Sequence, residues 1–85
     1  MKPNAVVYTK PMCRDCESTK TLMRANGVIF TEIDITQDVV ALQLVRDFYG
    51  FSAAPVVVTA EDAWSGYQPD KIRELADEGP SAFGD

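Results

Sequence analysis

The stretch Asn4-Ala5-Val6-Val7-Tyr8-Thr9-Lys10-Pro11-Met12-Cys13-Arg14-Asp15-Cys16 decides how this chain is read. Its first six residues are rich in β-branched and aromatic side chains and run into Lys10-Pro11, the profile of a short buried strand followed by a loop. From Arg14 to Asn26 the residues favour helix; Cys16, Thr19, Leu22 and Met23 fall at helical spacing, and Asn26-Gly27 supplies the stop. A strand, a loop and a helix are therefore predicted, with two cysteines at the loop-to-helix junction.

Downstream, Val28 to Ile35 alternates, with Ile29, Thr31, Ile33 and Ile35 on one face and Phe30, Glu32 and Asp34 on the other, as a strand requires. Thr36 is the expected N-cap of a second helix, in which Ala41, Leu42, Val45, Phe48 and Tyr49 form an apolar stripe that closes at Gly50. After the connector Phe51-Ser52-Ala53-Ala54, Val56 to Thr59 reads as a central strand that Pro55 can begin but not interrupt. Glu61-Asp62 is a turn, Ala63 to Tyr67 a second strand of a hairpin, and Pro69 opens a last helix with Ile72, Leu75 and Ala76 inward. The order β-α-β-α-β-β-α predicts an α/β domain over residues 1–77: a four-stranded mixed sheet flanked by three helices on its two faces. Residues 78–85 lack periodicity and read as a loose tail.

Eighty-five residues, 46% apolar and 25% charged, suit one small globular domain and argue against disorder. Such a chain buries roughly 60–65% of its unfolded surface. A net charge of -5 repels phosphate backbones and anionic lipid, so neither nucleic acid nor a membrane is an expected partner. Apolar runs fall far short of the ~20 residues of a membrane span, and the N-terminus has no signal-peptide core, so the expected location is the cytoplasm. Histidine is absent, which removes Ser-His and Cys-His nucleophile pairs and the commonest metal ligand. Chemistry is left to Cys13-Arg14-Asp15-Cys16.

Cys13 stands where backbone amides at a helix start are unpaired, so its sulfur receives hydrogen bonds and a positive potential that favour the thiolate. It is the candidate nucleophile. Cys16 lies one turn on, at about 5–6 Å and within the 4.4–6.8 Å Cα window of a disulfide, and its deeper position makes it the candidate resolving thiol. Arg14 favours the thiolate and Asp15 opposes it. Two other readings stay open: a pair of small buried apolar side chains, or a soft metal site. Against the second, two thiolates are half a tetrahedral shell and no further cysteine or histidine completes it, so no metal is expected.

Three segments carry a resemblance: Tyr8 to Cys16 with Thr19-Lys20, Ala54-Pro55-Val56-Val57-Val58, and Trp64-Ser65-Gly66-Tyr67-Gln68-Pro69-Asp70-Lys71-Ile72. The chain resembles the glutaredoxin branch of the thioredoxin fold and, within it, the NrdH-redoxins. The resemblance implies a dithiol electron carrier, a thiol-disulfide oxidoreductase with a redox-active Cys13-Cys16 disulfide and no bound cofactor. It would be reduced by thioredoxin reductase, at the expense of NADPH, and would reduce the large subunit of class Ib ribonucleotide reductase as a monomer. The Trp-Ser-Gly-aromatic-x-Pro-Asp pattern stands where glutathione-using members carry Gly-Gly-x-x-Asp; a glutathione-coupled glutaredoxin is the alternative. By the family pattern Pro55 is a cis-proline facing the dithiol, with the Ala54 backbone open to a substrate strand. Lys10, Pro11, Met12, Ala54, Pro55, Trp64, Ser65, Gly66, Tyr67, Pro69 and Asp70 are the implied partner-binding residues. Each also has a plain structural reading: Trp64 as core, Ser65-Gly66 as a bulge, Pro69-Asp70 as a helix start. Where the family usually has uncharged Val-Gln between the cysteines this chain has Arg14-Asp15, so no redox potential carries over.

Overall fold

Five residues of the quoted stretch form the first strand, β1 (Ala5–Thr9), and the helix α1 (Arg14–Ala25) begins directly after Cys13. The computed structural model describes residues 3–78. Beyond α1 come β2 (Phe30–Asp34), α2 (Val39–Gln43), a π-helical turn at Leu44–Phe48, β3 (Val56–Thr59), β4 (Ala63–Ser65) and α3 (Pro69–Asp77). This is the expected β-α-β-α-β-β-α order. The sheet runs β2-β1-β3-β4, with β1 parallel to β2, antiparallel to β3, and β3 antiparallel to β4.

Two apolar clusters cover the two faces of the sheet. On one, Ala5, Val7, Val57 and Trp64 of the strands meet Met23 of α1 and Ile72 and Leu75 of α3. On the other, Tyr8 and Val56 meet Ala41 of α2 and Val45 of the π turn. Alternation along β1 and β3 sends adjacent residues to opposite clusters, which is why these short strands read as continuous apolar runs. Full burial of side chains such as Val7, Val57 and Ile72 is worth roughly 1.5–3 kcal/mol each.

α1 ends as Asn26-Gly27 predicts. Gly27 adopts φ 73°, its N–H donates to the Arg24 carbonyl at 3.1 Å, and the Val28 N–H donates to the Met23 carbonyl at 2.9 Å. This paired closure needs a left-handed residue, and glycine takes that conformation without a Cβ penalty.

Several expectations fail at element ends. Asp38, not Thr36, caps α2: its Oδ1 accepts the Ala41 N–H at 3.0 Å. Thr36 instead closes a turn by donating from its N–H, 2.8 Å, and its hydroxyl, 2.6 Å, to Asp34 Oδ1. The second helix widens into the π turn, so Phe48 is exposed while Ala41 and Val45 stay buried. The second strand is confined to Phe30–Asp34, and the last to Ala63–Ser65, leaving Gly66 and Tyr67 in the loop beyond it. Of the expected tail, Glu78 caps α3, and 79–85 lie outside the described residues.

Candidate active site

Strand register gathers the site. Tyr8 pairs with Val56, and Val56 with Ser65, so the loop leaving β1, the loop entering β3 and the loop leaving β4 emerge at the same end of the strands. Lys10, Pro11, Met12 and Cys13 come from the first, Ala53, Ala54 and Pro55 from the second, and Gly66 and Tyr67 from the third.

Cys13 is the N-cap of α1, and its Sγ accepts the Cys16 N–H at 3.1 Å. The sulfur thus occupies the place that a serine or aspartate oxygen fills in an ordinary cap, at the positive end of the helix, where negative charge is stabilised. The Cys13 and Cys16 sulfurs are joined as a disulfide, with Cα atoms 5.2 Å apart. Cys13 is half-buried and Cys16 is 0% exposed, so an incoming sulfur can reach only the first. The opposite wall is the Ala54 carbonyl oxygen, 3.8 Å from Cys13 Sγ, and the Ala54–Pro55 bond is cis.

The 53–55 loop is tied to the end of β4. The Ser65 hydroxyl donates to the Ala53 carbonyl at 2.7 Å, and the Gly66 N–H donates to the Pro55 carbonyl at 2.8 Å. Gly66 holds φ 86°, which aims that N–H while leaving no Cβ to accommodate in a left-handed backbone. Tyr67 stands exposed at the rim of a groove of about 380 Å³ that runs along α1 past Arg14, Ser18 and Leu22.

The other candidates divide. Lys10, Pro11 and Met12 are exposed, and Met12 is held at φ 57° with its side chain wholly in solvent. Trp64 is only 4% exposed and sits in the core cluster, so its ring offers no contact surface; Lys71 lies 5.5 Å over it and also binds Asp62 at 2.8 Å. Pro69 is the first residue of α3, and Asp70 pairs with Arg73 at 3.4 Å. Trp64 thus packs in the core, as its plain structural reading has it.

A polar cluster behind the dithiol escapes sequence reasoning. Lys20, on the buried face of α1 one turn past Cys16, places Nζ 2.9 Å from Glu17 Oε2 and 2.9 Å from Glu32 Oε2. Thr9 Oγ1 donates to the same Glu32 oxygen at 2.8 Å. Donating to Glu17 and Glu32 raises the Lys20 pKa, and accepting from Lys20 and then Thr9 lowers that of Glu32. The Glu17–Lys20 spacing is legible as an i,i+3 pair, but Glu32 joins only through the β1–β2 register. Among the described residues no three His, Cys, Asp or Glu side chains are grouped to hold a metal ion. No helix there is long and apolar enough to cross a membrane.

Comparison with known proteins agrees with this geometry. The glutaredoxin family pattern matches residues 5–64. The gene 56 protein of Mycobacterium phage D29 is 38% identical over 72 residues, covering 84% of this chain and 80% of the phage protein. The glutaredoxin-like protein NrdH of Escherichia coli K12 is 35% identical over 69 residues, covering 81% and 84%. The solved structure of E. coli NrdH-redoxin, described as a glutaredoxin-like protein with a thioredoxin-like activity profile, superposes with a TM-score of 0.80 at 34% identity, covering 84% of this chain and 92% of that one. With a helix-capping dithiol on a thioredoxin-like fold, this chain belongs to the glutaredoxin family, among its NrdH-like thiol-disulfide oxidoreductases.

Proposed function

We propose that this protein is a cytoplasmic, monomeric electron carrier, reduced by a thioredoxin reductase and in turn reducing the large subunit of class Ib ribonucleotide reductase. In the reduced form the Cys13 thiolate attacks a target disulfide, giving a mixed disulfide and one target thiolate. Cys16 then attacks Cys13 Sγ, which releases the second target thiol and restores the Cys13–Cys16 disulfide. NADPH enters only through the reductase. The exposed Lys10, Pro11 and Met12, the Ala54-Pro55 wall and Tyr67 at the groove are the residues that would meet a partner. An extended segment lying along Ala54 would pair with its backbone, leaving side-chain pockets to discriminate. Ser65, Gly66, Pro69 and Asp70 would act by holding that wall and the start of α3.

The observation that carries this reading is the tie between Ser65-Gly66 and the Ala53–Pro55 loop. Polar groups that would hold a small anionic tripeptide are spent inside the protein, which favours a protein reductant over glutathione. The test is disulfide reduction with NADPH, comparing thioredoxin reductase with glutathione plus glutathione reductase. Turnover with thioredoxin reductase alone is expected; comparable turnover with both would make the chain a glutathione-coupled glutaredoxin.

A further inference from the structure

Thr19 follows Cys16 by three residues in α1, and both are wholly buried at 0% exposure. Side chains three apart share a helix face, and each leans toward the N-terminal turn, so Thr19 lies over the turn that carries Cys16. With the disulfide formed, Thr19 Oγ1 has no hydrogen-bond partner among the described residues, neither a sulfur nor a carbonyl. That is unusual, because a buried hydroxyl left unpaired is unfavourable, and threonine inside a helix ordinarily bonds the carbonyl four residues back.

Opening the disulfide changes the neighbourhood. Two electrons and two protons enter, the S–S bond breaks, and Cys16 Sγ becomes a buried thiol with donor and acceptor capacity of its own. Its rotation is then no longer fixed by Cys13. We propose that Thr19 is a redox-dependent hydrogen-bond partner of Cys16, its hydroxyl unpaired in the disulfide and bonded to Cys16 Sγ in the dithiol. In the thiol the hydroxyl oxygen accepts the S–H; in the thiolate that resolves a mixed disulfide the hydroxyl donates to sulfur. Thr19 transfers no atom. It lowers the free energy of the reduced side alone, so it makes the disulfide easier to reduce and enlarges the thiolate fraction of Cys16.

The test equilibrates wild type, Thr19→Val and Thr19→Ser in glutathione redox buffers and counts free thiols by alkylation. One protein disulfide and two glutathione thiols interconvert with one protein dithiol and one glutathione disulfide, so each constant is read directly. Thr19→Val, which keeps the shape and loses the hydroxyl, is expected to favour the disulfide about tenfold, a potential lower by about 30 mV. Thr19→Ser, which keeps the hydroxyl and loses a methyl group, is expected to stay within about twofold of wild type. A packing role would predict the reverse order, since serine leaves the larger void. Equal constants in all three proteins, or a departure shared by serine and valine, would overturn the proposal. If the valine variant does not fold, Thr19→Ala replaces it with the same expected departure. Neither reductase nor target enters the measurement, so its outcome is separate from the identity of the partners.

Discussion

Replacing Lys20 by methionine removes one ammonium and keeps most of the apolar stem. The Lys20 side chain is 11% exposed, Glu32 37% and Glu17 69%. The Glu17 contact is an exposed helical pair worth a few tenths of a kcal/mol. The Glu32 contact is a charge-assisted hydrogen bond, worth about 1.5–3 kcal/mol when buried, and its partial exposure to solvent brings this to about 1 kcal/mol. A total near 1.5 kcal/mol is expected at pH 7, where each kcal/mol moves the melting temperature of so small a domain by about 4–8 °C. The pH dependence follows from the Glu32 carboxyl, held below its ordinary 4.5 by Lys20 first and the Thr9 hydroxyl second. A depressed carboxyl pKa gives stability that is present above 4.5 and lost as pH falls through the folded value. Lys20 is raised above 10.5 by Glu17 and Glu32, so its share is complete below 10.5 and lost as pH rises through the raised value. Urea unfolding of the disulfide form should therefore show a lower midpoint at unchanged slope for Lys20→Met between these limits, the gap narrowing as pH falls below 4.5. A gap under about 0.5 kcal/mol at pH 7, or one that does not shrink as acid protonates the carboxylates, would refute a charge-assisted clamp between α1 and β2.

Asp38→Ala should cost about 1 kcal/mol in the same urea assay through loss of the α2 cap; a larger cost for Thr36→Ala would return that role to Thr36. Cys16→Ser should accumulate a mixed disulfide with a target protein and Cys13→Ser should not, as read on non-reducing gels; trapping through Cys16 would reverse the two roles. Met12→Gly should move the melting temperature by only a few degrees, because relief of the left-handed backbone, about 1 kcal/mol, is offset by about 0.5–1 kcal/mol of added chain entropy. A large destabilisation would mean that the Met12 side chain packs against the fold.

What could be read from the sequence was local. The strand, loop and capped helix of Asn4 to Gly27 declare themselves because residue type, spacing and stop signal each act on neighbours close in the chain and all agree. The cap of α2 was not legible between Thr36 and Asp38, since both types cap well and the choice depends on where the chain arrives from β2. Phe48 was misplaced for a different reason. Helical periodicity assumes 3.6 residues per turn, and the wider turn at Leu44–Phe48 rotates the stripe so that Val45 remains inside while Phe48 does not. The Lys20–Glu32–Thr9 cluster depends on register across a parallel pair, for which single residues carry no sign.

The segment Trp64 to Asp70 is built chiefly into the fold around the dithiol. Strand alternation turns Trp64 into the α1 and α3 side, where it packs with Val57 and Leu75, and the next residue, Ser65, bonds the carbonyl of Ala53. Gly66 then turns the chain with its N–H on the Pro55 carbonyl, and Pro69 starts α3. Each step constrains the loop whose Ala54 carbonyl faces Cys13. Tyr67 lies exposed at the groove beside α1, and Asp70 is exposed at the start of α3. The run therefore fixes the wall opposite the dithiol, with Trp64 buried beneath it and Tyr67 exposed beside it.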